Sequence, residues 1–268
     1  MDRADELNAL INDPEVKCII STMGGMNSNS LLPYIDYDSF KKNPKILMGY
    51  SDTSSVLMAV YAKTGINTYY GPALVASFGE MEPYNEMTYR YFYDICVKPI
   101  LPYQFSRPDF WTEEDLDWET QDRCKLLTKN RWITCKKGIA KGRLIIGNLN
   151  TLTCIWGSQY MPEIKNGDIL FIEDGRKSAA MMERLFSFLK LNRIFEKIGG
   201  LILGKHERFN DQRTQKQPYQ ILEEILGDYD FPFLAEVDCC HTHPMFTMPI
   251  GSTIELNAAE QTIILLKF

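Results

Sequence analysis

The chain has 268 residues and carries 29 lysines and arginines against 35 aspartates and glutamates, a formal net charge of -6 that offers no basic face to a nucleic-acid polymer. Hydrophobic residues make up 45% and charged residues 24%, which is ordinary globular composition and long enough for one large or two modest domains. No apolar run approaches membrane-spanning length, Met1 to Glu6 has no signal-peptide pattern, and seven cysteines, Cys18 and Cys154 among them in apolar runs, read as reduced thiols of a cytoplasmic protein.

Ala4 to Asn12 reads as a short helix with Leu7, Leu10 and Ile11 on one side, stopped by Asp13-Pro14. Val16 to Ser21 is a buried-strand run closed by Gly24-Gly25, and Leu31 to Phe40 is a short helix or loop. Pro44 to Met48 is a second strand, Val56 to Ala62 a helix, Asn67 to Tyr70 a third strand and Glu86 to Val97 a further helix. Strands alternating with helices imply a parallel sheet covered on both faces. From Leu101 to Lys137 the pattern breaks into a polar stretch carrying Trp111, Trp118 and Trp132, which reads as a linker and a long surface loop of the kind that carries function. After Gly138 the strand runs are Gly142 to Ile146, Ile169 to Ile172, Gly200 to Leu203, Phe233 to Val237 and Thr262 to Leu266, with helical patterns at Ala179 to Leu189 and Tyr219 to Leu226. The expected organisation is an α/β domain over residues 1–98, a linker and active-site loop over 99–137, and a β-rich mixed domain over 138–268.

Four stretches could carry chemistry. In Gly49-Tyr50-Ser51-Asp52 a serine sits between a strand and a helix start, where α/β enzymes place a nucleophile; the plainer reading is that Ser51 caps the helix. Gly24-Gly25-Met26-Asn27 could turn backbone N–H groups toward a ligand, or be a simple turn. Glu173-Asp174 ends an apolar strand, where a carboxylate needs a partner such as a histidine or else is solvated. Asp238-Cys239-Cys240-His241-Thr242-His243 holds two of the three histidines, so a histidine base for Ser51 is His206, His241 or His243. Adjacent cysteines are poor zinc geometry, so no metal is expected.

Taken together, these stretches resemble one family. Asp13 to Ile20, Gly24 to Asn29, Pro44 to Asp52, Tyr70 to Ala73, Gly147 to Leu152, Ile172 to Asp174 and His241 to Met245 are similar, in order and spread, to the serine peptidases of the LD-carboxypeptidase and microcin C7 self-immunity group. The resemblance implies a flavodoxin-like N-terminal domain and a β-rich C-terminal domain with the active site between them. It implies Ser51 as nucleophile, Glu173 as orienting acid, His241 as base, and the backbone N–H groups of Gly25 and Asp52 as oxyanion hole, with no cofactor. The Asn27-Ser28-Asn29 form and the tryptophan-bearing loop look like the microcin-immunity branch. That branch cleaves an amide joining an amino acid or peptide to a nucleotide analogue, with Asn27 and Trp118 as substrate-binding candidates and Trp118 stacking on the base. The alternatives are an LD-carboxypeptidase acting on murein tetrapeptide and an inactive relative. The resemblance also implies a homodimer and an opening βαβ portion that the sequence lacks before Ala4; Cys240 stands where a glycine usually precedes the histidine.

Overall fold

The computed structural model describes residues 2–268. The first part alternates helices α1 (Asp2–Asn12), α2 (Tyr37–Lys42), α3 (Ser54–Thr64) and α4 (Tyr84–Phe92) with strands β1 (Cys18–Ile20), β2 (Ile46–Gly49) and β3 (Tyr69–Tyr70). β1 and β3 both pair parallel with β2, as the apolar runs between helices require. α3 is buried on most of its surface and stops at Gly65, whose φ of 74° suits a residue without a Cβ. The Asp36 side chain caps α2 by accepting from the Ser39 N–H at 2.9 Å.

The remainder runs through β4 (Tyr103–Phe105), β5 (Phe110–Trp111), β6 (Thr128–Lys129), β7 (Ile133–Lys136), β8 (Ile139–Asn148), α5 (Leu149–Thr153), β9 (Ile169–Glu173), α6 (Ala179–Leu191), β10 (Gly200–Gly204), α7 (Pro218–Leu226), β11 (Phe233–Val237), β12 (Met248–Pro249), β13 (Thr253–Asn257) and β14 (Thr262–Lys267). An eight-stranded sheet has the order β4-β14-β13-β8-β9-β10-β11-β7. Its middle, β8 to β11, is parallel, and β9 and β10 are buried at every residue, which is why they read as unbroken apolar runs. β13 and β14 alternate between buried and half-exposed residues, as expected on an antiparallel flank. β12 leaves this part of the chain and pairs antiparallel with β3, so the first sheet has four strands in the order β1-β2-β3-β12. The fold is thus mixed α/β with a parallel-strand sheet followed by a β-rich region. No helix among the described residues is long and apolar enough to cross a membrane.

The reading of Leu101 to Lys137 as loop needs correction. It holds β4 to β7, and β4 and β7 form the two edges of the eight-stranded sheet. Their partners, β14 and β11, lie far along the chain, so no local repeat marks them. Trp132 is buried, and its indole N–H donates to Asp238 at 2.7 Å. The short strand β12, the alternating β13 and the single-turn α5 were also absent from the sequence pattern as read.

Both sheets aim the carboxyl ends of their parallel strands at one region, the position where open α/β sheets bind ligands. β1 leads to Gly24-Gly25, β2 to Ser51, β8 to Asn148, β9 to Glu173, and β11 to His241. Behind β11, Phe246 is fully buried, its ring 4.6 Å from Tyr91 and 5.4 Å from Phe105 between ring centroids. It packs α4 and β4 onto the segment that follows His241. Phe246→Ala should therefore lower unfolding free energy by about 3–5 kcal/mol; equilibrium urea denaturation measures this, and a loss below about 1 kcal/mol would show that the contact is dispensable.

Candidate active site

The turn after β2 is strained. Ser51 has φ of 59°, a left-handed conformation that costs a non-glycine residue roughly 1–3 kcal/mol and concentrates at functional turns. Its side chain makes no capping bond: the residue before α3 is Thr53, and the Ser51 main chain instead donates its N–H to the Tyr70 hydroxyl at 3.3 Å. The plain helix-cap reading of Ser51 therefore fails. The Gly-Gly turn after β1 comes so close that a Cβ at Gly24 would lie 3.0 Å from both Cβ and Oγ of Ser51. One at Gly25 would lie 2.9 Å from Asp52 Oδ2. A side chain at either position would crowd the turn that carries Ser51 and Asp52.

His241 bridges the serine to a buried acid. Its Nε2 stands 3.0 Å from Ser51 Oγ and its Nδ1 2.7 Å from Glu173 Oε2. Glu173 is 1% exposed. Its other oxygen accepts from the Tyr70 hydroxyl at 2.5 Å and from Asn148 Nδ2 at 3.1 Å, so the buried carboxylate is satisfied on both sides. The Tyr50 ring packs edge-on against the imidazole, centroids 4.9 Å apart. Burial opposes charge on His241, but the Glu173 carboxylate and its hydrogen bond outweigh it and hold the imidazole above the ordinary histidine value.

The other two histidines make different contacts, although His243 lines the same cavity as Ser51 and His241. Burial and the nearby Lys125 ammonium push His243 down to about 3; its backbone bridges Thr112, and its Nε2 lies 3.6 Å from Glu80, which pairs with Lys125 at 2.5 Å. Burial pushes His206 down to about 4, and its Nε2 accepts the Lys177 N–H at 3.0 Å. The cysteines beside His241 turn inward. Cys240 Sγ lies 3.2 Å from Thr242 Oγ1, and its Cβ packs against Gly204, so the side chain does not crowd the His241 turn. Cys239 Sγ meets the carbonyls of Tyr70 and Phe246.

Two chambers meet at Ser51 and His241. One, of about 360 Å³, is walled by Met23, Tyr50, Trp118, Lys125, Arg176 and the acidic run Glu113-Glu114-Asp115. Trp118 is 49% exposed there. The other, of about 270 Å³, is lined by Gly25, Asp52, Asn29, Asn150, Asp174 and Lys177. Asn27 is exposed and meets the site through its main chain, which donates to Asp52 Oδ2 at 3.0 Å; Asn29, two residues on, lines the second chamber. Sequence reasoning missed Tyr70, Asn148 and Lys177. Asn148 had a signal, since an asparagine ending a buried strand before a polar turn is a capping residue, and it accepts from Thr151 N at 3.0 Å. Tyr70 had none, because a tyrosine in a strand reads as core.

Residues 1–71 match the LD-carboxypeptidase N-terminal domain and residues 141–256 the LD-carboxypeptidase C-terminal domain. The microcin C7 self-immunity protein MccF of Escherichia coli is 50% identical over 265 residues, 98% of this chain and 77% of that protein. The murein tetrapeptide carboxypeptidase of Pseudomonas aeruginosa is 24% identical over 260 residues, 95% of this chain and 76% of that protein. Among solved structures, MccF in complex with glutamyl sulfamoyl guanosine superposes with a TM-score of 0.97 at 48% identity, and MccF in complex with aspartyl sulfamoyl adenosine with 0.96 at 49%. Each match covers 100% of this chain and 81% of that one.

With three histidines in the chain, imidazole titration by NMR reads the site directly. His241 should titrate above the ordinary value near 6.5. In Glu173→Gln the raising charge is lost while burial remains, so its midpoint should fall below that value. A midpoint that does not move between the two proteins would show that Glu173 does not set the imidazole's charge.

Proposed function

The chain belongs to the LD-carboxypeptidase family of serine peptidases, and on that premise we propose that it hydrolyses the amide joining an aminoacyl or peptidyl group to a nucleotide-like leaving group. The observation that carries this reading is the chain of contacts Ser51–His241–Glu173, at 3.0 and 2.7 Å, at the junction of the two chambers. Ser51 Oγ attacks the carbonyl carbon as His241 Nε2 takes its proton. Glu173 holds the ring so that Nδ1 carries the other proton and the imidazolium is stabilised when it forms. The main-chain N–H groups of Gly25 and Asp52 receive the oxyanion. His241 then returns the proton to the departing nitrogen, leaving an acyl ester on Ser51. Water, deprotonated by the same imidazole, cleaves that ester and releases the acid.

The chambers divide the substrate. An exposed indole in the larger one offers a face for a purine base, and stacking on an aromatic ring contributes roughly 1–3 kcal/mol per base. The smaller chamber presents the Lys177 ammonium, 26% exposed and 3.2 Å from Asp174, to the acyl side. Acidic aminoacyl groups, as in the ligands bound to MccF, suit that charge.

Assayed by release of aspartate and sulfamoyl adenosine from aspartyl sulfamoyl adenosine, Ser51→Ala should lose on the order of 10⁴–10⁶ in rate, because the members of such a unit fail together. Wild-type turnover in that variant would sink the assignment. Trp118→Ala should raise KM by about tenfold with kcat little changed, from lost stacking. Release of D-alanine from murein tetrapeptide, with no cleavage of the sulfamoyl adenosine compound, would reverse the choice in favour of a cell-wall carboxypeptidase.

A further inference from the structure

Asp52 contributes two groups to this site, its main-chain N–H and its side-chain carboxylate. Its carboxylate reaches the loop that follows Gly24-Gly25. The residue is 5% exposed, and Oδ2 accepts three hydrogen bonds from residues 24 and 25 positions earlier: Asn27 N–H at 3.0 Å, Ser28 N–H at 2.9 Å and the Ser28 hydroxyl at 2.6 Å. The same oxygen lies 2.9 Å from where a Gly25 Cβ would be. Backbone bonds tie the chain after β1 as far as Thr22, through Ser21 N to Met48 O at 3.0 Å and from Leu74 N and Val75 N to the Ser21 and Thr22 carbonyls at 2.9 Å; at Asn27 and Ser28 the Asp52 carboxylate supplies the tie to the turn after β2.

We propose that the Asp52 carboxylate is a positioning group that fixes the distance and angle between the two oxyanion donors, gripping through its side chain the loop that carries the Gly25 N–H while its own main chain supplies the other. The inference rests on the serine-hydrolase reading above. A carboxylate accepting from two adjacent main-chain N–H groups and a hydroxyl holds the loop against both sliding and rotation, and charge-assisted bonds of this kind are short and directional. Oxyanion donors work when they lie about 2.7–3.1 Å from the developing charge, and a misplacement of about 1 Å costs on the order of 10²-fold. The grip also fits a glycine at position 25, where a Cβ would lie 2.9 Å from the gripping oxygen. A purely structural role is the competing account, since Asp52 supplies the cap that the short helical turn Ser28–Tyr34 lacks from the Asn27 side chain.

The two accounts separate in the kinetics of Asp52→Ala, Asp52→Asn and Ser28→Ala on aspartyl sulfamoyl adenosine. The positioning role predicts kcat lower by about 10²–10³-fold in Asp52→Ala, the size expected for a lost oxyanion donor. It predicts about tenfold in Asp52→Asn and two- to fivefold in Ser28→Ala, with KM and the Kd of adenosine monophosphate within about threefold of wild type. An aspartyl aldehyde, whose carbonyl carbon accepts Ser51 Oγ to form a hemiacetal while the serine proton passes through His241 to the new alkoxide, should lose affinity in step with kcat. The proposal is overturned if Asp52→Asn and Ser28→Ala keep wild-type kcat, or if KM and nucleotide affinity decay together with kcat. Should Asp52→Ala fail to fold, the other two variants decide alone. Ser51→Ala in the same assay separates the failures: if it still turns over, the hydrolase reading falls. If it is inactive while Asp52→Asn and Ser28→Ala are unimpaired, only the positioning role falls.

Discussion

One buried negative charge organises the site. Glu173 ends a strand that is inaccessible at every residue, and a carboxylate there is tolerable only with hydrogen-bonding partners around it, since an unpaired buried ion costs several kcal/mol. Its three partners come from three places. Tyr70 belongs to β3 of the first sheet, Asn148 to the end of β8 in the second, and His241 to the segment after β11. Satisfying Glu173 therefore locks the two sheets together at the point where the chemistry is proposed to occur. It also fixes which imidazole nitrogen faces Ser51. Tyr70 extends the control by one step, because the hydroxyl that donates to Glu173 also accepts the Ser51 N–H and so steadies the strained turn.

The rest of the architecture follows from where parallel strands end. Side chains within β9 and β10 before their ends are committed to packing, so polar groups become available at the last ladder pair, as at Asn148 and Glu173, and beyond it the chain is free to adopt the left-handed turn at Ser51 or the close approach at Gly24. Loop residues from both sheets then line one cleft with two arms. One arm is aromatic and charged on both signs; the other is small and carries Lys177. The proposed substrate, with a planar base at one end and an acidic acyl group at the other, matches that division.

Much of this was legible from the sequence because the relevant residues sit at abrupt changes of pattern. Ser51, Glu173 and His241 each close an apolar run, and Gly24-Gly25 interrupts one. The parallel strands β2, β9, β10 and β11 were legible for the same reason: burial on both faces leaves no room for polar residues. What the sequence hid depends on distant pairing. β4 and β7 are three and four residues long and gain their identity from strands more than 90 residues away, so the stretch that contains them looked like loop. Trp132 shared that stretch with Trp118 and looked equivalent, yet one is sealed behind Asp238 and the other stands in the cleft. Tyr70 was invisible as a site residue because its role belongs to one hydroxyl at the end of a ring that packs like any other. Asn27 precedes the short helical turn Ser28–Tyr34 and is exposed, whereas Asn29 lies within that turn and lines the second chamber, a difference that two asparagines two residues apart do not reveal in the sequence.

The central claim is that His241, poised by Glu173, makes Ser51 a nucleophile unlike any other serine in the chain. The most direct test is covalent labelling with a fluorophosphonate, followed by mass spectrometry of the digested protein across a pH series. The account predicts a single adduct, on the peptide containing Ser51, formed rapidly when His241 is neutral and suppressed as the imidazole becomes protonated. Labelling spread over several serines, or a Ser51 that stays unmodified while His241 is neutral, would contradict it.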